Sequence, residues 1–289
     1  MRIIDAHVHL YPPEVNRLPA AWAEERREPR WAKLCTRWRG DGKPVQTFPT
    51  VEQLLRAMDA AGVEKSVLLG WYWEQAENCA MQNRFYAECV RAHPDRLTAF
   101  ATLQAAAGAG VLEIVKRARD EGFIGLGELS PHSRHFACDD AVWREVLALA
   151  GELKLPVNLH VTDPGSRRYP GRVETPLEDF LRMARDFPGT TFILAHWGGG
   201  LAFEPGDSLP ANLLFDTAAS PLLYGAEAWA RGMAGAGAER ILFGTDYPLV
   251  LYPKNETQPG MTGLLGEAGA AEVPSEALGD NAARLLGIY

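Results

Sequence analysis

Eight short β-rich apolar runs alternate with amphipathic stretches of helical spacing, and this rhythm restricts the folds open to the chain. The runs occupy residues 3–7, 66–70, 97–103, 124–129, 157–161, 192–196, 213–216 and 241–245. Between them, residues 51–61, 76–92, 111–121, 142–153, 177–187 and 223–234 repeat their apolar positions every three or four residues, as one-sided helices do. Thr50 is the expected N-cap of the first of these and Asp139 and Asp140 of the fourth, while Pro156 and Pro188 mark two exits. Strands alternating with helices predict a parallel sheet with crossover helices, and eight repeats fit closure into a (β/α)₈ barrel. A doubly wound open sheet needs fewer strands, and no glycine-rich phosphate turn follows the first run. With 289 residues and no linker-like stretch, the expectation is one barrel domain spanning residues 1–289. Two segments interrupt the rhythm, a long insertion at 11–49 after the first strand and a polar loop at 161–176. In a barrel both leave from the C-terminal ends of strands, where active sites are built.

Those strand ends carry the chemistry. The first run finishes in Asp5-Ala6-His7-Val8-His9, and side chains two apart on a strand share a face. His7 and His9 therefore present two imidazoles side by side. The fourth run ends in Gly127-Glu128, the fifth in Leu159-His160, the sixth in Ala195-His196-Trp197-Gly198-Gly199-Gly200, and the eighth in Gly244-Thr245-Asp246-Tyr247-Pro248. Barrel strands converge at this face, so these residues can meet in one coordination sphere. The expected metal ligands are His7, His9, Glu128, His160 and Asp246. Imidazole and carboxylate donors suit a divalent ion, zinc first and manganese or iron as the other candidates, and no organic cofactor is expected. A packed core histidine at 160 or an ion-paired Glu128 would each be unremarkable alone; their common position at strand ends is not.

The ordered set of motifs resembles the amidohydrolase superfamily, in particular its amidohydrolase-2 branch of TIM-barrel metal-dependent hydrolases. Asp5-Ala6-His7-Val8-His9 is similar to that family's His-x-His after strand one. Glu128, His160, His196 and the Gly244–Pro248 motif resemble its residues on strands four, five, six and eight. The ending Asp280-Asn281-Ala282-Ala283-Arg284-Leu285-Leu286-Gly287 resembles its final helix. The chain departs from many binuclear members in having no lysine at the end of strand four, so a carbamylated-lysine bridge is not expected. Glu128 stands there, and a carboxylate can bridge two ions or complete the sphere of one. Aromatic-acid decarboxylases of the branch often carry Glu where His7 stands, although the decarboxylase of aminocarboxymuconate semialdehyde keeps His-x-His.

The resemblance implies a metal-dependent hydrolase of a lactone, amide or carbon–carbon bond in a small, carboxylated compound. The alternative is a non-oxidative decarboxylase of an unsaturated or aromatic acid. A divalent ion would lower the pKa of a bound water and polarise a carbonyl. Asp246 is the expected proton carrier. His196 is the expected electrophile facing the developing oxyanion, its competing roles being ligand or structural strand-end residue. Trp71 and Trp73 are candidate walls for a planar substrate, and Arg167 and Arg168 candidate partners of its carboxylate. Packing aromatics and solvated arginines are the plainer readings of those four; His132 and His135 are candidates for a second ion or substrate, with solvated loop histidines the plainer reading.

The remaining expectations come from composition. A net charge of −8 argues against non-specific nucleic-acid or anionic-membrane partners. No stretch reaches the roughly 20 apolar residues of a membrane span. The N-terminus lacks a signal-peptide pattern, so a cytoplasmic location is expected. Cys35, Cys79, Cys89 and Cys138 contain no C-x-x-C pair and read as reduced and partly buried. The expected partner is a small-molecule substrate, and a homodimer is possible.

Overall fold

The computed structural model describes residues 1–134, 138–250 and 260–288. Its strands are β1 (Ile4–Val8), β2 (Lys65–Leu68), β3 (Leu97–Ala99), β4 (Leu126–Leu129), β5 (Val157–Leu159), β6 (Phe192–Leu194), β7 (Leu213–Asp216) and β8 (Ile241–Leu242). All pairings are parallel and join neighbours in chain order, in one arc β1-β2-β3 and another β4-β5-β6-β7-β8. Parallel bridges Ala101–Leu126 and Val8–Tyr247 close the two arcs into a ring. The Ala6 amide also donates to the Phe243 carbonyl at 2.8 Å. The expected barrel is thus present, and the open sheet is not.

Most strands are shorter than the apolar runs that announced them. In the run at 97–103 the strand ends at Ala99, although the Phe100 and Ala101 amides still donate to the Leu68 and Gly125 carbonyls, and Phe100, Ala101 and Leu103 remain buried. Apolarity records burial, and burial continues where the chain turns out of the ladder toward the barrel mouth. Helix ends follow local chemistry more closely. In Val51–Ala61 the Thr50 hydroxyl accepts from the Gln53 amide while the Gln53 side chain accepts from the Thr50 amide, and left-handed Gly62 ends the helix. Asp140, and not Asp139, caps Ala141–Glu152 by accepting from the Val142 and Trp143 amides. The stretch read at 223–234 divides into Ser220–Leu223, which begins with a proline in its first turn, and Glu227–Gly235.

The core lies in three parts. The largest lines the contact between strands and outer helices. A second joins Ile4, Val67, Leu69, Phe100, Ile193 and Leu242 to Ala282, Ala283 and Leu286 of the helix Asn281–Leu286. The third belongs to the insertion, whose short helices Pro13–Arg17, Pro19–Glu25 and Pro29–Cys35 each begin with proline. Tyr11, Trp22, Trp31 and Trp73 pack there edge to face and tilted, with ring centroids 5.1–5.9 Å apart. Glu28 locks this part to the loop after β2, accepting from the Glu74 and Gln75 amides and from Asn78. The end of the insertion lies against the loop after β8, through a Gln46–Leu249 bridge and a bond from the Val250 amide to the Val45 carbonyl. All four cysteines are buried. Among the described residues no helix is long and apolar enough to cross a membrane.

Candidate metal centre

Six side chains converge at the C-terminal ends of the strands, in two sets of three whose ligand atoms lie within 4.8 Å of one another. One is His7, His9 and Asp246; the other is Glu128, His160 and His196. The sets meet: His9 Nε2 is 3.7 Å from Glu128 Oε2 and 3.6 Å from Asp246 Oδ1. His7 Nε2 lies 3.8 Å from Asp246 Oδ1. Glu128 Oε1 is 3.0 Å from His160 Nδ1, which is 3.3 Å from His196 Nε2. The five expected ligands and the expected electrophile are therefore all in one ring.

Backbone geometry at the strand ends produces this convergence. Gly244 passes so close to β1 that a Cβ there would stand 2.8 Å from His7 Cβ, so only glycine lets β8 deliver Asp246 beside the His-x-His pair. Asp246 itself has φ 63°, and its amide donates to the His7 carbonyl at 2.9 Å. After β6 the chain makes a left-handed turn from His196 (φ 59°) through Gly200. Two non-glycine residues in that conformation are uncommon and point to a site that holds them there. The glycines admit Phe215, which a Cβ on Gly198 would approach to 2.7 Å.

Hydrogen bonds outside the ring decide which nitrogen faces inward. The Leu69 carbonyl can only accept, so His9 Nδ1–H donates to it at 2.9 Å. His7 Nδ1–H donates to Asp216 Oδ2 at 2.9 Å, and His196 Nδ1–H to the Ala218 carbonyl at 3.0 Å. Neutral His7 and His9 then point their Nε2 lone pairs at each other across 3.1 Å. Facing lone pairs at that distance require a proton or a cation beside them, and carboxylates on the other side favour positive charge. The donor set therefore fits a divalent ion.

The electrostatics agree. Burial opposes a proton on His7, but Asp216, Asp246 and Glu128 outweigh it and lift this imidazole to about 10. His9 is pushed down, by burial first and then by His7. Burial alone would raise Glu128, yet His160, His7 and His9 hold it well below the carboxylate range. A ring that retains a proton so firmly without an ion is a ring that favours a cation.

Asp216 had no role in the sequence reading, although it ends β7 as the other site residues end their strands. It also accepts from Asn158 Nδ2 and from the His196 and Ala218 amides, so one buried carboxylate braces β1, β5 and β6. Arg37 is a second omission, hidden among the insertion's many arginines. Its Nε is buried without a hydrogen-bond partner among the described residues, and burial pushes its guanidinium down. The candidate substrate residues separate. Trp71 lies 5.6 Å from the His9 ring and stacks on Tyr72, which lies 5.4 Å from the His160 ring. Trp73 makes no ring contact with the site among the described residues and is wholly buried in the insertion core, to which Trp71 and Tyr72 also belong. Arg167 and Arg168 are exposed and form no ion pair among the described residues. His132 is not a solvated loop residue, since its side chain is 11% exposed and bonded to Asp179. His135 lies outside the described residues.

A closed parallel barrel with a cation-seeking ring of histidines and carboxylates at its C-terminal face defines a metal-dependent barrel enzyme. The chain belongs to the amidohydrolase family (Amidohydro_2), which its sequence matches over residues 4–288. No curated protein matches it. It is similar to the crystal structure of 5-carboxyvanillate decarboxylase from Sphingomonas paucimobilis, with 18% identity and a TM-score of 0.77, over 100% of this chain and 99% of that one. A 2,6-dihydroxybenzoate decarboxylase from Rhizobium shares 20% identity with a TM-score of 0.64, over 100% and 99%. A manganese complex of 5-carboxyvanillate decarboxylase from Novosphingobium aromaticivorans shares 13% identity with a TM-score of 0.77, over 99% and 96%. At these identities the likeness is one of fold.

Proposed function

We propose that the chain is a metal-dependent, non-oxidative decarboxylase of a small planar acid, aromatic or conjugated. The observation that carries this reading is the stacked Trp71–Tyr72 pair, with centroids 4.3 Å apart and planes at 22°, set against two imidazoles of the ring. Such a wall receives a flat, unsaturated substrate better than a compact lactone or amide. The decarboxylase names of the similar structures support the same choice. A hydrolase is the second reading, favoured by the imidazole at His7 where aromatic-acid decarboxylases of the branch often carry Glu.

In this reading His7, His9, His160 and Asp246 hold the ion, with Glu128 as a further ligand. Zinc, manganese and iron all suit these donors. When bound, the ion supplies positive charge that holds the substrate's oxygen atoms and draws electron density from the breaking bond. Arg37, whose buried Nε has no partner among the described residues, takes over from Arg167 and Arg168 as the candidate partner of a substrate carboxylate. Breaking the bond to CO₂ leaves an electron pair on the substrate carbon, which takes one proton. Asp246 delivers it from Oδ2, 3.9 Å from His196 Nδ1. His196 offers Nε2 as a lone pair when neutral, and it donates toward a developing negative charge once protonated.

The test is a panel of aromatic and conjugated acids, assayed for CO₂ release on protein reconstituted separately with each ion, beside a panel of lactones and amides. Release of one CO₂ per product formed supports the decarboxylase. Ring opening or amide cleavage without CO₂ would replace it with the hydrolase.

A further inference from the structure

A second cluster of metal-ligating side chains stands apart from the six of the ring, formed by His132, Cys138 and Asp179. His132 lies in the turn His132–Arg134 after β4, Cys138 just before the helix Ala141–Glu152, and Asp179 in the first turn of the helix Leu177–Asp186. Three separate segments thus bring a thiol, an imidazole and a carboxylate together.

Both partners of His132 meet it at the same atom. Nε2 is 3.0 Å from Asp179 Oδ2 and 3.6 Å from Cys138 Sγ. In a nucleophilic Cys-His-Asp relay the acid would engage the opposite ring nitrogen, so that a proton could pass through the imidazole. Here Nδ1 is buried and has no partner among the described residues. Three donor atoms gathered around one point form a face of a coordination polyhedron. Tetrahedral zinc with ordinary bond lengths has N···O edges of about 3.3 Å and N···S edges of about 3.6 Å. The two distances here lie close to both. Asp179 retains 26% side-chain exposure, which leaves solvent access and room for a fourth ligand.

We propose that His132, Cys138 and Asp179 form an accessory zinc-class site, distinct from the catalytic ring, that ties the loop behind Glu128 to the helix following the strand-five loop. Its donors differ in kind from those of the ring. A thiolate with imidazole and carboxylate selects zinc or cobalt over manganese, magnesium or calcium, whereas the ring has no sulfur. Burial, and then Asp179, pushes the Cys138 thiol up to about 11, so binding at neutral pH must displace its proton to solvent. The bond formed is metal–sulfur, the bond broken is S–H, and no electron changes hands.

Cobalt(II) added to the whole, chelator-stripped protein tests this directly. The expected result is a sulfur-to-cobalt charge-transfer band in the near ultraviolet that saturates with one equivalent of cobalt beyond what fills the ring, with release of one proton from the thiol. Cys138→Ser should lose the band and one equivalent of cobalt while still filling the sulfur-free ring. Asp179→Asn, which keeps the thiol, should show the band only at higher cobalt and guards against a misfolded serine variant. Absence of the band once the ring is filled means a hydrogen-bonded cluster only and overturns the proposal. Survival of the band in Cys138→Ser assigns it to another cysteine and overturns it equally.

Discussion

At the scale of single residues the proposed reaction divides the ring into groups that would hold a cation and groups that would move a proton, and assigns Asp246 to both. Asp246→Asn keeps the shape and removes the exchangeable carboxyl proton. It is expected to abolish turnover even in protein that retains its ion, measured as product formed per equivalent of bound metal. His196→Asn should retain metal and slow catalysis by about 10²–10³-fold, the usual cost of removing one donor to developing negative charge. Protein purified without metal would make His196 a ligand, a role open to it because Nε2 lies 3.3 Å from His160 Nδ1 and 3.9 Å from Glu128 Oε1. Full activity with metal bound would make it structural. The residues of this ring were legible in the sequence because each ends an apolar run. The division between ligand and electrophile was not, since it depends on distances of a few tenths of an ångström between strands far apart in the chain.

At the scale of elements, a strand that contributes no expected ligand can matter as much as those that do. β7 ends in Asp216, which orients His7 through Nδ1 and receives the His196 amide. Partners behind a ligand typically change metal affinity or activity by about 10–100-fold when altered. Asp216→Asn should therefore bind metal more weakly by that order while its far-UV circular dichroism is unchanged. An unaltered metal dissociation constant would reduce Asp216 to packing. Capped helix starts, by contrast, were legible almost to the residue, because Thr50 and Asp140 act on amides two or three positions away, whereas the helix read at 111–121 ends at Arg117. Strand ends were not, because where a ladder stops is set by the partner strand.

Across the whole molecule, the insertion is held to the barrel by a buried carboxyl. Burial pushes Glu28 up to about 7, against the hydrogen bonds from Asn78 and the Glu74 and Gln75 amides. The unfolded chain ionises this group near 4.5, before the folded protein does, so folding loses stability as pH rises from about 4.5 to 7, by about 1–3 kcal/mol. Glu28→Gln cannot titrate there. The stability advantage of the unsubstituted chain over this variant, read from urea midpoints, should shrink by that amount across the window. A gap that stays constant with pH would show that Glu28 keeps one protonation state throughout.

What the sequence determined by itself is what local chemistry can enforce: the order of strands and helices, the caps, and the placing of histidines and acids at strand ends. The barrel follows from that order, since eight parallel units bury their faces best by closing. Tertiary structure decided the rest. Asp216 acquired its bonding partners, Arg37 its buried Nε, Trp73 its burial and His132 its two partners only when distant segments met. No local pattern encodes those meetings, because each depends on the curvature of the closed sheet and on how the insertion packs across its rim.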